Sequence, residues 1–218
     1  MKRLTMMLAG VALLAACGSE PEEAAPEAVE AAPVEEAAPA EEALTPAATG
    51  PGAWTVDEEA SSLIFTGRHE TEDFTGRFGR FGATIVLDPE NLADASIDAV
   101  IALRSADAGT ADRNDSLPEP DWFDVVRYPR ATFTSKDITR TGPQDYQAVG
   151  MLSMKGVDRP LTLPFTLVIE GDRATADASV TLDRTQFGVG TGAYGTPDIV
   201  ANEVGVQIHI EADRAGGL

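Results

Sequence analysis

The chain has 218 residues, with 36 Asp and Glu against 16 Lys and Arg, a formal net charge of −20 and one cysteine. That balance excludes nucleic acid as a partner and excludes adhesion to anionic lipid through surface charge, so membrane association has to come from a covalent anchor. A lone cysteine excludes an internal disulfide.

Residues 1–16 read as a signal peptide. Lys2 and Arg3 form a positive start, Leu4 to Leu14 an apolar run, and small residues precede Cys17. The run is too short to span a bilayer as a mature helix. Leu14, Ala15, Ala16 and Cys17 together resemble the lipobox of bacterial lipoproteins. The resemblance implies that Cys17 becomes the acylated first residue, a lipid anchor and not a redox centre. Gly18 follows it, where lipoprotein sorting commonly keeps Asp for the inner membrane, so the implied address is the periplasmic face of the outer membrane.

Residues 17–53 read as a disordered spacer. From Gly18 to Ala53 the chain holds 12 Ala, 9 Glu and 6 Pro with no Lys, Arg or aromatic residue, so nothing there builds a core. The recurring prolines break any helix that Ala and Glu would favour. Such a tether averages about 35 Å as a flexible coil and reaches on the order of 110 Å in polyproline geometry.

Residues 54–218 are enough for one domain with a substantial core. Here apolar residues recur with period two. Leu161, Leu163, Phe165, Leu167 and Ile169 alternate with a mainly polar set, as do Ala174 to Leu182 and Val204 to Ile210. Further strands are expected at Ser61 to His69, Phe74 to Asp88, Ser96 to Arg104, Arg130 to Asp137 and Asp145 to Met154. One-sided strands of this kind form antiparallel sheets with one wet face. Between them, Thr110 or Asp112 can cap a short helix that Pro118 ends, and Pro120 before Asp121 suits the first turn of a second. About eight strands with one helical excursion predict an all-β barrel or sandwich, and an eight-stranded barrel has room for side chains or one slim ligand. Ala174, Ala176 and Ala178 on one face are small enough to leave a cavity unless a bulky neighbour fills it.

Ordered motifs run through this domain: Phe65, His69, Gly76 and Phe78; Ser105, Arg113, Asp115 and Leu117; Asp121 to Asp124; Tyr128, Pro129, Phe133 and Ser135; Gly150 to Gly156; Asp183 and Arg184; and Phe187 to Gly190. In this order they resemble the YceI-like family of polyisoprenoid-binding proteins. Ser61 and Ser62 depart from the His-Ser pair that many members carry, leaving His69 alone on that strand. The resemblance implies an extended, lipocalin-like antiparallel barrel around an apolar tunnel for a long isoprenoid or fatty acyl chain, with binding or transport and no enzymatic chemistry. A homodimer is compatible with it.

The alternation selects Phe65, Phe133, Leu163, Phe165, Val180 and Ile208 as tunnel lining. Arg113 and Arg184 are candidates for a phosphate or quinone head group, or for bracing a loop against a nearby Asp. Other motifs carry little. The glycines from Gly190 to Gly195 fit a dinucleotide fingerprint without the strand and helix it needs. Asp112 to Ser116 begins like a calcium loop but lacks the glycine at the sixth position. His69 and His209 stand too far apart in sequence for a zinc motif. His69 shares the parity of Leu63 and Phe65 and reads as an inward core histidine, and His209 as solvated. No metal or cofactor is expected. The rival readings are a filled barrel that docks a membrane redox protein through exposed Trp122 and Tyr128, and an enzyme acting on bound lipid.

Overall fold

The structure is a computed structural model that describes residues 44–216. The signal peptide, Cys17 and most of the spacer lie outside the described residues. The strands are β1 (Ala53–Val56), β2 (Ser62–His69), β3 (Glu72–Phe78), β4 (Phe81–Asp88), β5 (Asn91–Ala102), β6 (Ala106–Asp107), β7 (Arg130–Arg140), β8 (Asp145–Met154), β9 (Val157–Glu170), β10 (Arg173–Asp183) and β11 (Glu203–Arg214). One α-helix, α1 (Ala111–Ser116), lies between β6 and β7.

All strand pairs are antiparallel, and the order β1-β4-β5-β7-β8-β9-β10-β11 closes on itself because β1 also pairs with β11. The result is an eight-stranded barrel. β2, β3 and β6 extend the sheet beyond it. Both β1 and β2 bond the same edge of β11, with Trp54 to Val56 opposite Arg214 to Ala212 and Ser62 to Thr66 opposite His209 to Gly205. Asp57 to Ser61 interrupt what would otherwise be one strand, and the Asp57 N–H still donates to Glu211 O at 2.8 Å. The hairpin between β8 and β9 turns at Lys155 and Gly156, both at positive φ (51° and 73°), the combination that matches a two-residue turn to strand twist.

Four expectations need correction. The stretch Phe74 to Asp88 is two strands, β3 and β4, separated at Gly79 and Arg80. The short β1 and β6 lie outside the expected strands. No helix follows Pro120. Residues 118–128 form successive tight turns, pinned where Asp124 adopts a φ of 52° and its carbonyl accepts from the N–H groups of Arg127 (3.0 Å) and Tyr128 (2.8 Å). The spacer boundary also falls earlier than composition suggests. Ala48 is buried, the Thr84 hydroxyl donates to Pro46 O at 2.7 Å, and the Leu87 N–H donates to Gly52 O at 2.7 Å, so residues from about 44 onward belong to the barrel wall.

The core is a lining of buried apolar side chains on the inner face of the barrel. Trp54 is buried, gives its indole N–H to Leu87 O at 2.9 Å, and carries the Arg214 guanidinium over its ring at 4.6 Å. Beside it Arg173 reaches Glu211 at 2.8 Å and Asp57 and Asp213 at 3.6 Å. These half-exposed pairs add little stability singly, but together they tie β1, β10 and β11 at the point of closure.

Candidate functional site

The inward positions of β9, β10 and β11 follow the alternation in the sequence. Leu161 to Leu167, Ala174 to Leu182 and Val206 to Ile210 present their apolar members to a cavity of about 210 Å³. Alanine ends at Cβ, so the three alanines of β10 leave space that the rings opposite do not take up. Phe165 instead stacks on Tyr146, with centroids 5.5 Å apart and planes at 18°. This lower chamber carries no charged side chain, and the one polar group on its lining side chains, the Trp54 indole N–H, is already satisfied. Apolar cavities of ~150 Å³ stay dry and accept benzene-sized guests, so this one is suited to hydrocarbon.

A second cavity of about 290 Å³ adjoins it at Phe78, Met154 and Leu182, which line both. Its floor is aromatic. Phe65 packs on Phe78 at 5.2 Å and edge-on to Phe74 at 6.4 Å, and Phe78 meets Phe123 at 6.0 Å. Its rim is polar, with His69, Arg113, Trp122, Arg184 and Tyr194. The Arg113 guanidinium lies 4.8 Å over the Phe74 ring, and its one hydrogen bond among the described residues is a long contact of 3.5 Å from Nη1 to Ala108 O. Trp122 packs on Tyr194 at 5.1 Å, and its indole N–H is buried without a hydrogen-bond partner among the described residues.

Of the residues selected from sequence, Phe133, Leu163, Phe165, Val180 and Ile208 line the lower chamber and Phe65 the upper. Arg113 and Arg184 are both in the upper wall, but in opposite conditions. Arg184 is buried, with Nε donating to Ala201 O, Nη1 to Val189 O and Gly190 O, and Nη2 to Tyr194 O and Val200 O, at 2.6 to 2.9 Å. Those bonds use all five of its donors, so the head-group assignment is corrected: Arg184 braces the loop from Val189 to Ala201, through backbone carbonyls and not through an Asp. Burial holds its pKa below the ordinary arginine value, against the pull of Asp183. Gly190, at φ 71°, has no Cβ because one would strike the Arg184 Nη1. Sequence reasoning missed Phe74, Met154 and Tyr194 as lining, and used Trp122 only as an exposed contact.

Lys155 ties the same end together. Its ammonium donates to Pro120 O at 2.8 Å and Gly188 O at 2.6 Å, joining the 118–128 turns to the loop after β10, and burial lowers its pKa while Asp124 and Asp121 oppose that shift. Trp122 and Tyr128 are half-buried, Tyr128 lying where a Cβ on Gly156 would meet its ring at 2.9 Å. Neither is the exposed docking aromatic expected; the large exposed apolar residue of this excursion is Val126.

The enzyme reading would require a nucleophile beside a base, and one row of such residue types lies on the outer face of the barrel. Ser62, His209 and Asp177 stand in one row across β2, β11 and β10. His209 Nδ1 is 2.7 Å from Asp177 Oδ1, but Nε2 is 3.5 Å from Glu211 Oε1, which makes the ring a bridge between two carboxylates.

Residues 54–212 match the family model of the YceI-like domain. The chain belongs to the YceI-like family. Protein YceI of Escherichia coli O17:K52:H18 is 30% identical over 141 residues, covering 61% of this chain and 73% of that protein. The crystal structure of BcnA from Burkholderia cenocepacia superposes with a TM-score of 0.69 at 33% identity, over 72% of this chain and 98% of BcnA. A polyisoprenoid binding domain from Saccharophagus degradans shares the fold with a TM-score of 0.60 at 16% identity, over 74% of this chain and 98% of that one.

Proposed function

We propose that this YceI-like protein binds and carries a polyisoprenoid or similar long-chain lipid in its barrel, from an anchor at acylated Cys17 on the periplasmic face of the outer membrane. The observation that carries the ligand reading is the pair of adjoining chambers, all hydrocarbon below and polar-rimmed above. The polyisoprenoid binding domain of S. degradans, with the same fold, supports the choice of ligand. Burial supplies the affinity. At about 0.8 kcal/mol per methylene, one isoprene unit taken from water contributes roughly 3–4 kcal/mol before ordering costs. A polar end would lie in the upper chamber beside Arg113, where the unpartnered Trp122 N–H also lacks an acceptor.

Phe165→Ala tests the ligand reading. Phe→Ala in a filled core costs about 3–5 kcal/mol; here the ring already borders free space, so apo stability should fall by less while prenyl chain-length preference shifts. Denaturant unfolding beside titration with prenyl alcohols of graded length measures both. A large loss of stability with no lipid bound by either protein sinks the proposal.

Support for the anchor is the lipobox pattern of the sequence. Cys17→Ser should release the protein from the membrane fraction and remove any acyl mass. Wild-type protein found soluble and unacylated would overturn this part alone.

A further inference from the structure

Two ladders of the barrel wall stop short of their strand ends, that between β5 and β7 beyond Asp98↔Thr134 and that between β9 and β10. β9 and β10 pair from Glu170↔Arg173 to Phe165↔Ala178 and then stop, although β9 begins at Val157 and β10 runs on to Asp183. Continued in the same register, the next position would set Pro164 against Ser179, and Pro160 would fall against Asp183. The Leu167 N–H donates to Gln144 O beside β8 at 2.8 Å, so odd residues of β9 turn their backbone groups to β8 and even residues turn theirs to β10. Both prolines are even. Neither has an N–H, so the edge of β9 facing β10 lacks two of the donors that would continue the ladder and keeps Thr162 between them. The strands on either side are held elsewhere: β8 pairs with β9 down to Met154↔Val157, and β10 with β11 down to Asp183↔Glu203.

The side chains at this level agree. Leu161 and Leu163 on one lip and Val180 and Leu182 on the other face the lower chamber yet are only half-buried, whereas Phe165 and Leu167, within the paired stretch, are buried. Phe165, Ala178 and Ile208 line both the lower chamber and a groove on the outside of the barrel. At the lower end Trp54 lies under Arg214, and at the upper end the loops are tied by Arg184 and Lys155.

We propose that the seam between β9 and β10 is a lateral portal through which the lipid chain passes between the lower chamber and a bilayer. The proposal rests on the lipid-binding reading above and adds the route. A side slot admits a long flexible chain along its length, with apolar lips in place of water at each step, whereas end-on threading would draw the whole chain past the tied loops.

Two measurements on the full-length chain test it. In ligand-free protein, odd residues of β10 face the seam, so the amides of Ser179 and Thr181 should exchange with solvent on the order of 100-fold faster than those of Thr175 and Asp177 in the paired half of the same strand. Equal protection in the two halves would show a closed seam and overturn the proposal. For the route, Thr162→Cys and Thr181→Cys would be introduced together in a Cys17→Ser background. Oxidation to the disulfide should slow transfer of dansyl-farnesol from phosphatidylcholine vesicles by about tenfold or more, with reduction restoring the rate and equilibrium affinity little changed. If the cysteines do not bond, Pro160→Thr with Pro164→Thr restores the missing donors and should slow transfer in the same way. Transfer unaffected by a lock verified by mass, or by the double threonine variant with Ser179 and Thr181 now protected, overturns the portal and leaves lipid binding intact. A reduced protein that binds no dansyl-farnesol overturns the lipid reading and the portal with it.

Discussion

Ala176→Phe is expected to abolish most lipid binding without harming the fold. Ala176 stands opposite Leu167 on β9 and Ile210 on β11, and all three line the lower chamber. A phenyl ring built there projects into a cavity of about 210 Å³, the space a lipid chain would use. Displacing one isoprene unit forfeits roughly 3–4 kcal/mol of burial, which at 1.4 kcal/mol per tenfold is a loss of affinity on the order of 100-fold or more. Stability moves the other way from an ordinary core insertion. Overpacking a filled interior costs about 1–3 kcal/mol, while filling a void with a residue that favours strands is neutral or stabilising. Titration with a long prenyl alcohol and thermal unfolding should therefore show weak binding beside an unchanged or raised Tm. A clear drop in Tm would mean that the chamber is occupied by the protein itself, which is the filled-barrel reading.

How much of this was legible depended on whether the determinant was local. The inward faces of β9, β10 and β11 could be read from alternation alone, because a buried face imposes period two on the strand that supplies it. The alanines of β10 raised the cavity as one of two outcomes, and only the placement of the rings opposite decides between them. The strand count came out near eight for a partly different set. β2 is readable and β3 is merged with β4 in the reading Phe74 to Asp88, and both β2 and β3 lie beyond the closed ring, whereas the four-residue β1 that closes it, Ala53 to Val56, is too short to show a period. The turns at 118–128 were mistaken for a second helix because Pro120 and Asp121 satisfy helix-start rules. The turns are instead held by the Asp124 carbonyl and by Lys155 of the hairpin between β8 and β9, which donates to Pro120 O, a contact that no local rule contains. Pro160 and Pro164 sat in view within an alternating strand, and their meaning depended on which neighbour each backbone group faces. The Arg184 motif is recognisable, but its acceptors lie between 5 and 17 residues further on, in a loop whose path the arginine itself helps set.

Arg184→Met is expected to be the most destabilising single change in the domain. The methionine keeps much of the apolar stem and removes the donors to Ala201, Val189, Gly190, Tyr194 and Val200, leaving the carbonyls on the inner side of the loop without partners. An orphaned buried acceptor costs about 1–3 kcal/mol. Some of these carbonyls will reach water as the loop opens, so the net loss should be about 3–5 kcal/mol, or roughly 10 °C in Tm for a domain of this size. Arg184→Lys retains the charge, but three donors on one nitrogen cannot span acceptors arranged around a planar guanidinium, so it should recover only part of the loss. Because the same loop walls the upper chamber through Tyr194 and Val200, lipid retention should decline with loop order in both variants, for neutral and anionic prenyl lipids alike. Thermal unfolding of the three proteins, beside binding of farnesol and farnesyl phosphate, checks both parts. A stable Arg184→Met protein that loses only the phosphate would return Arg184 to the role of head-group ligand and refute the bracing role assigned to it here.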